Sequence, residues 1–230
     1  MLFLILLSLL SPAPEVNSKD LVHRLEARYR SAKTLQATFL QRYIEDGREV
    51  RSESGIAYFR RPGRMRWEYE VPEKNVFLVD GKTAWFYVPA DHTVTRVPAK
   101  QSTDLRTPLA LLAGEMKVSR VCAGVEASTE APKNPGDIVL SCKPREADHS
   151  SDRQRDSGAQ PQNAILFEIA PDTGELMRLL VPDPGGITIE FRFANWRIDP
   201  PMPDSIFRFA PPPGVAIVNG ELPSGETPVN

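Results

Sequence analysis

Arg60–Pro72 reads RRPGRMRWEYEVP, and how its side chains alternate decides what kind of protein this is. Arg60, Arg61, Arg64 and Arg66 crowd the start, and Trp67 and Tyr69 follow. Pro62-Gly63 is a turn pair, so a new element begins at Arg64. Read as a strand, Met65 to Val71 divides by the period of two. Met65, Trp67, Tyr69 and Val71 take one face; Arg64, Arg66, Glu68 and Glu70 take the other. The charged face has mixed sign, which suits phosphate poorly. The other face is large and apolar.

The same alternation runs outward in both directions. Leu35, Ala37, Phe39, Gln41 and Tyr43 alternate with Gln36, Thr38, Leu40 and Arg42. Strands are predicted at 54–61, 65–71, 76–79, 82–88 and 93–97, with Asp80-Gly81 as a hairpin turn. Others follow at 116–122, 138–142, 165–170, 175–181 and 187–198, with Pro171-Asp172-Thr173-Gly174 as a second hairpin. Two helices are expected. Lys19 to Arg30 carries Leu21, Val22, Leu25 and Tyr29 at helical spacing, with Ser18 or Asp20 as its cap. Thr107-Pro108 opens a short apolar helix that ends at Gly114. The sum is a mainly β chain of about 10–11 antiparallel strands in one curved sheet, with short helices over one face.

Length and charge narrow the function. The chain has 230 residues with 28 Lys+Arg against 30 Asp+Glu, net −2. A nucleic-acid domain carries a basic excess that is missing here. Leu2–Leu10 is an apolar run too short to span a bilayer, followed by small residues and prolines, as in a signal peptide. Cleavage after Ala13 or after Ser18 fits; residues 1–18 are read as the signal and 19–215 as the domain. Export to an oxidising compartment is expected. In that compartment Cys122 and Cys142 are expected to pair across the base of a hairpin. Closing a loop of about 20 residues contributes roughly 3 kcal/mol. Lys143 to Asn163 is polar and aperiodic and reads as a flexible insertion; 216–230 reads as a disordered tail.

Signals for catalysis are missing. His23, His92 and His149 fall in a helix, a turn and the insertion, with nothing to gather them on a metal. There is no G-x-S-x-G elbow. Gly81-Lys82-Thr83 resembles the end of a phosphate loop, but Val76 stands where its first glycine belongs. The reading is a binding protein without catalytic residues, metal or cofactor.

Phe77, Trp85, Phe86, Tyr87, Phe191 and Phe193 add to the apolar face around Trp67. A sheet with so little helical cover either packs these residues as core or lines a cavity with them. Here a resemblance is specific. RRPGRMRWEYEVP, LVDGKTAWFYVP, TPLALLAG and FRFAPPPGV, with LQATFLQ after the first helix, resemble the signature segments of the periplasmic outer-membrane lipoprotein carrier family (LolA). The resemblance runs with gaps from about Lys19 to Val215. It implies an incomplete antiparallel β-barrel with helices as a lid over a hydrophobic cavity for lipoprotein acyl chains. By position, Phe39, Met65, Trp67 and Phe77 would face that cavity, Tyr69 shares their strand face, and Leu109 and Leu112 would sit on a lid helix. Arg61 matches the arginine associated with lid closure. The implied partners are lipidated cargo, an ATP-driven lipoprotein-releasing complex in the inner membrane and a receptor at the outer membrane, with the carrier a monomer. The alternative is a protein of the same fold that carries another lipid or senses lipoproteins. The chain departs from the family in three places: the cysteine pair, the insertion, and Glu175-Leu176-Met177-Arg178 where some members carry a histidine.

Overall fold

The computed structural model describes residues 17–99, 109–114, 117–145, 164–183 and 186–220. Among them, twelve strands form one sheet: β1 (Thr34–Glu45), β2 (Arg48–Arg60), β3 (Arg64–Val71), β4 (Val76–Val79), β5 (Thr83–Val88), β6 (Thr93–Pro98), β7 (Cys122–Ala127), β8 (Ile138–Pro144), β9 (Ile165–Ala170), β10 (Glu175–Pro182), β11 (Ile187–Ile198) and β12 (Ala216–Asn219). Their spatial order is β12-β6-β5-β4-β3-β2-β1-β11-β10-β9-β8-β7. β12 and β7 are the two ends and do not pair with each other, so the barrel is unclosed. All neighbours are antiparallel except β12 and β6. The helices are α1 (Ser18–Arg30) and α2 (Ala110–Ala113).

The expected fold class is present, with one strand more than the sequence suggested. The extra strand, β12, lies in the segment expected to be a disordered tail. Tail composition hides it because its partner is distant. The Asp199 side chain first turns the chain, accepting from the backbone N–H groups of Lys33 and Thr34 at 2.6 and 3.1 Å. The chain then crosses the outer face of the sheet. Arg60 Nη2 donates to the Met202 carbonyl at 2.8 Å, and Arg66 Nη1 to that of Ile206 at 3.2 Å. Phe207 is buried below the Arg60 and Arg64 guanidiniums, 5.7 and 5.8 Å from its ring centroid. Phe209 packs on Trp85 and Tyr87 at 5.4 and 5.6 Å. This belt delivers Ala216–Asn219 to β6. The arginines of the opening stretch therefore hold a protein segment. Trp85 and Tyr87, grouped above with the cavity aromatics, face outward beneath it.

Other boundaries shift as well. Asn17, not Ser18 or Asp20, caps α1 by accepting from Lys19 N–H at 3.0 Å. The strand expected at 116–122 begins only at Cys122, because Val118–Arg120 is a 3-10 turn; Met116 is outside the described residues. The hairpin's second strand continues through Lys143 and Pro144, the first two residues assigned to the insertion. Residues 146–163, the leader to residue 16, and Thr107-Pro108 lie outside the described residues. Cys122 and Cys142 are disulfide-bonded, as expected.

α1 explains which face is inside. Leu21, Leu25 and Tyr29 are buried against the sheet. The Tyr29 hydroxyl accepts from Leu176 N–H at 3.0 Å, at a bulge in β10 that frees this donor. Arg28 pairs with Glu175 at 2.6 Å, and Arg24 donates to the Pro171 carbonyl at 2.9 Å. Glu26 accepts from Val118 N–H at 2.8 Å. The β9–β10 hairpin comes so close that a Cβ on Gly174 would lie 2.7 Å from the Arg24 carbonyl oxygen. Gly174 also has φ +69°, so glycine is required there on two counts.

The outer face of β9–β11 carries a buried ionic cluster. Glu168, Arg178 and Glu190 are all 0–1 % exposed. Arg178 reaches Glu168 at 2.6 Å, Glu130 at 2.9 Å and Glu190 at 3.4 Å. Lys133 and Asn134 donate their backbone N–H groups to Glu168 at 2.9 and 3.0 Å. Buried charges need such partners. Here they fasten the β7–β8 loop to the sheet.

Candidate lipid-binding face and its helical cover

Strand register stacks the inner face in layers. Leu35, Phe59, Met65 and Val79 are mutually aligned at the end near α1 and α2. Ala37, Ala57, Trp67 and Phe77 form the next layer. Phe39 with Gly55, Tyr69 and Phe193 forms a third. Gly55 is there because a Cβ would lie 1.9 Å from the Glu68 carbonyl oxygen across the β2–β3 bulge. The structure thus brings together Phe39, Met65, Trp67, Tyr69 and Phe77, and all five are buried. Leu109 and Leu112, at α2, are buried in the same cluster.

The rings interlock. Trp67 sits 4.8 Å from Phe39, 5.7 Å from Phe59, 5.6 Å from Phe191 and 6.2 Å from Phe193, mostly edge-on or tilted. Tyr69 meets Phe39 at 5.2 Å. Edge-to-face packing of this kind adds to area burial. Trp196 joins the cluster against Tyr29 and Phe193 and donates its indole N–H to the Leu176 carbonyl at 2.8 Å. Counting in twos from Phe193 puts Trp196 on the outer face. The register shift opposite Gln36–Thr38, with Asn195 at φ +56°, turns it inward. A polar residue tolerant of positive φ before an aromatic was the available signal.

Beyond the third layer the inner face turns polar. Gln41 donates to the Tyr43 hydroxyl at 2.6 Å and accepts from Tyr69 at 2.9 Å. Tyr43 reaches Glu53 at 3.2 Å, and Arg51 pairs with Glu53 at 2.6 Å. Gln41, Tyr43, Glu53 and Tyr69 are buried, so mutual hydrogen bonding is what makes this layer tolerable.

Arg61 stands where the cover meets the sheet. Its Nη1 donates to the carbonyl of Arg30, the last residue of α1. Its backbone N–H donates to the Lys33 carbonyl at 3.1 Å. In the same turn Gly63, at φ +64°, donates its N–H to the Ala113 carbonyl at the end of α2, 2.8 Å away. One turn therefore touches the ends of both helices. The Arg61 contact is lopsided, because Nε and Nη2 are buried with no acceptor among the described residues. Burial accordingly pushes the guanidinium's pKa down, and the charge of Asp199 offsets this only in part. At the start of β10, Glu175 and Leu176 hold Arg28 and Tyr29 of α1. Burial also drives the Tyr29 phenol's pKa well up. Among the described residues, no group of His, Cys, Asp and Glu is arranged to hold a metal.

Comparison with known proteins agrees with this geometry. The family described as "Outer membrane lipoprotein carrier protein LolA" matches residues 30–210. The outer-membrane lipoprotein carrier protein of Chromobacterium violaceum is 31 % identical over 201 residues, covering 87 % of this chain and 88 % of its own. That of Methylococcus capsulatus is 29 % identical over 197 residues, covering 84 % and 85 %. Among solved structures, an uncharacterized conserved protein of Thermus thermophilus superposes with a TM-score of 0.51 at 14 % identity, over 88 % of this chain and 98 % of its own; that likeness concerns the fold alone. With an unclosed antiparallel barrel, a helical cover and an aromatic inner face, the chain belongs to the outer membrane lipoprotein carrier family, LolA.

Proposed function

We propose that this protein is a periplasmic carrier that takes the acyl chains of lipoproteins released from the inner membrane and delivers them to the outer membrane. The observation that carries the reading is the run of three apolar layers under two helices whose ends both rest on the Arg61–Gly63 turn. Phe39, Met65, Trp67, Tyr69 and Phe77 would line the acyl site, Leu109 and Leu112 would close it, and Arg61 would set how firmly it closes. The donor would be an ATP-driven releasing complex and the acceptor an outer-membrane receptor, with the carrier acting as a monomer and without catalysis.

The energetics suit that task. Each acyl CH₂ withdrawn from water contributes about 0.8 kcal/mol, so a lipoprotein with two or three long chains does not leave a bilayer for water unaided. A membrane provides the same burial as a protein cavity. Binding also means parting rings that already pack on one another, so the net gain over the bilayer is small. Loading then draws its energy from the donor complex, and unloading needs only a slightly better acceptor.

The test is capture in the periplasm. Tagged mature protein should retain a lipoprotein carrying its lipidated cysteine and lose it when that cysteine is replaced by serine. Equal retention of both forms would refute the reading.

A further inference from the structure

Trp67 has no solvent exposure, yet among the described residues its indole Nε1–H has no hydrogen-bond acceptor. This is unusual, since a buried indole N–H is nearly always paired. Trp196, the other inner-face indole, donates to a carbonyl. Around Trp67 stand the rings of Phe39, Phe59, Phe191 and Phe193 and, across the strands, Ala57 and Phe77. A phenylalanine here would bring no unpaired donor, at the cost of some packing volume. We propose that Trp67 Nε1–H is the donor that receives an acyl carbonyl of the cargo; this rests on the carrier reading above. Trp67 lies two residues along β3 from Met65 in the layer nearest the helices, a displacement of about 7 Å. The carbonyl would sit just inside the cover, with the methylenes against the rings of the second and third layers. Ala37 and Ala57, the small members of the layer, are themselves fully buried, so the carbonyl would take space that the rings around the indole now fill. An acyl carbonyl is an acceptor that every acylated cargo carries, so such a contact favours acyl-linked lipid over other hydrocarbon without reading the protein attached to it.

The test compares two synthetic peptides whose cysteine carries a glyceryl group, one with ester-linked palmitoyl chains and one with ether-linked hexadecyl chains. Affinities are measured by displacement of a hydrophobic fluorophore. One neutral hydrogen bond is worth about two- to tenfold in affinity, so the wild type should prefer the ester by that factor. Trp67→Phe should abolish the preference, whatever it does to affinity for both. An unchanged preference in Trp67→Phe would overturn the proposal, as would its absence from the wild type. Binding of neither peptide would sink the carrier reading and the proposal with it. Should Trp67→Phe fail to fold, the wild-type indole N–H resonance decides. After assignment through Trp85→Phe and Trp196→Phe, it should move downfield with the ester peptide and stay with the ether; identical responses would again overturn the proposal.

Discussion

Replacing Arg61 by leucine should leave the helical cover closed at least as firmly as before, because the arginine's contributions to closure nearly cancel. Closing gains one hydrogen bond from a charged donor, Nη1 to the Arg30 carbonyl, about 1.5–3 kcal/mol. Placing that charge at the carboxyl end of α1 adds about 0.3–1 kcal/mol. Against this, closing strips water from Nε and Nη2, which find no acceptor, at about 1–3 kcal/mol each. The net contribution therefore lies between about 2 kcal/mol favourable and 4 kcal/mol unfavourable, centred about 1 kcal/mol on the unfavourable side. Leucine makes none of these terms and adds apolar burial. Two measurements follow. Thermal unfolding of Arg61→Leu should match or exceed the wild type, and a loss of up to about 8 °C is the lower bound, at roughly 2–4 °C per kcal/mol for this size. Hydrogen exchange across 28–33, the end of α1 and its exit, should be unchanged or slower. In carrier terms the variant should still take up cargo and release it more slowly. A fall in Tm beyond about 8 °C together with exchange at 28–33 more than tenfold faster would refute the reasoning, since Arg61 would then be a clasp rather than a balance.

Two further expectations concern the scaffold. Gly174→Ala should cost about 2–5 kcal/mol in chemical denaturation, from a left-handed backbone and overpacking on Arg24. Gly47→Ala, at φ +75° with open space around it, should cost only the backbone part, so equal effects would refute the close approach. The stability curve should fall steeply in acid. Burial alone would raise the Glu168 pKa, but Asn134 N–H, Lys133 N–H and Arg178 hold its carboxyl below the usual carboxylate range. Because the folded pKa is depressed, the stabilisation is present in full above the unfolded value and is lost as pH falls through the folded one. Glu168→Gln should lower neutral-pH stability and flatten that acid limb; an unchanged limb would remove Glu168 as its cause.

How much was legible beforehand can be traced residue by residue. Period-two alternation put Met65, Trp67 and Tyr69 on one face correctly, because β3 is regular from Arg64 to Tyr69; Val71, expected on the same face, pairs with Ser54 beyond the bulge and is exposed. The same rule failed at Trp196, where a bulge breaks the period, and at Trp85 and Tyr87, where it could not say which face is inner. α1 was readable from Leu21, Leu25 and Tyr29, but its cap fell one residue earlier than expected. The disulfide was readable from two cysteines in a chain whose first residues read as a signal peptide. Strand β12 was not, since nothing in a short proline-flanked segment names a partner strand in mid-sequence.

The sequence by itself determined the alternation, the turns and the two helices, and hence an antiparallel sheet with one apolar face, because these depend on neighbours in the chain. Long-range contacts decided the rest. The belt from Asp199 to Asn219 chooses the outer face by burying Phe207 and packing Phe209 on Trp85 and Tyr87. Tyr29 and Gly174 fix where α1 rests. Arg61 and Gly63 meet the ends of both helices only because the β2–β3 turn is carried there. The unpaired Nε1–H of Trp67 exists only once four phenylalanine rings from three other strands surround it, and whether a buried donor lacks an acceptor depends on every neighbour at once.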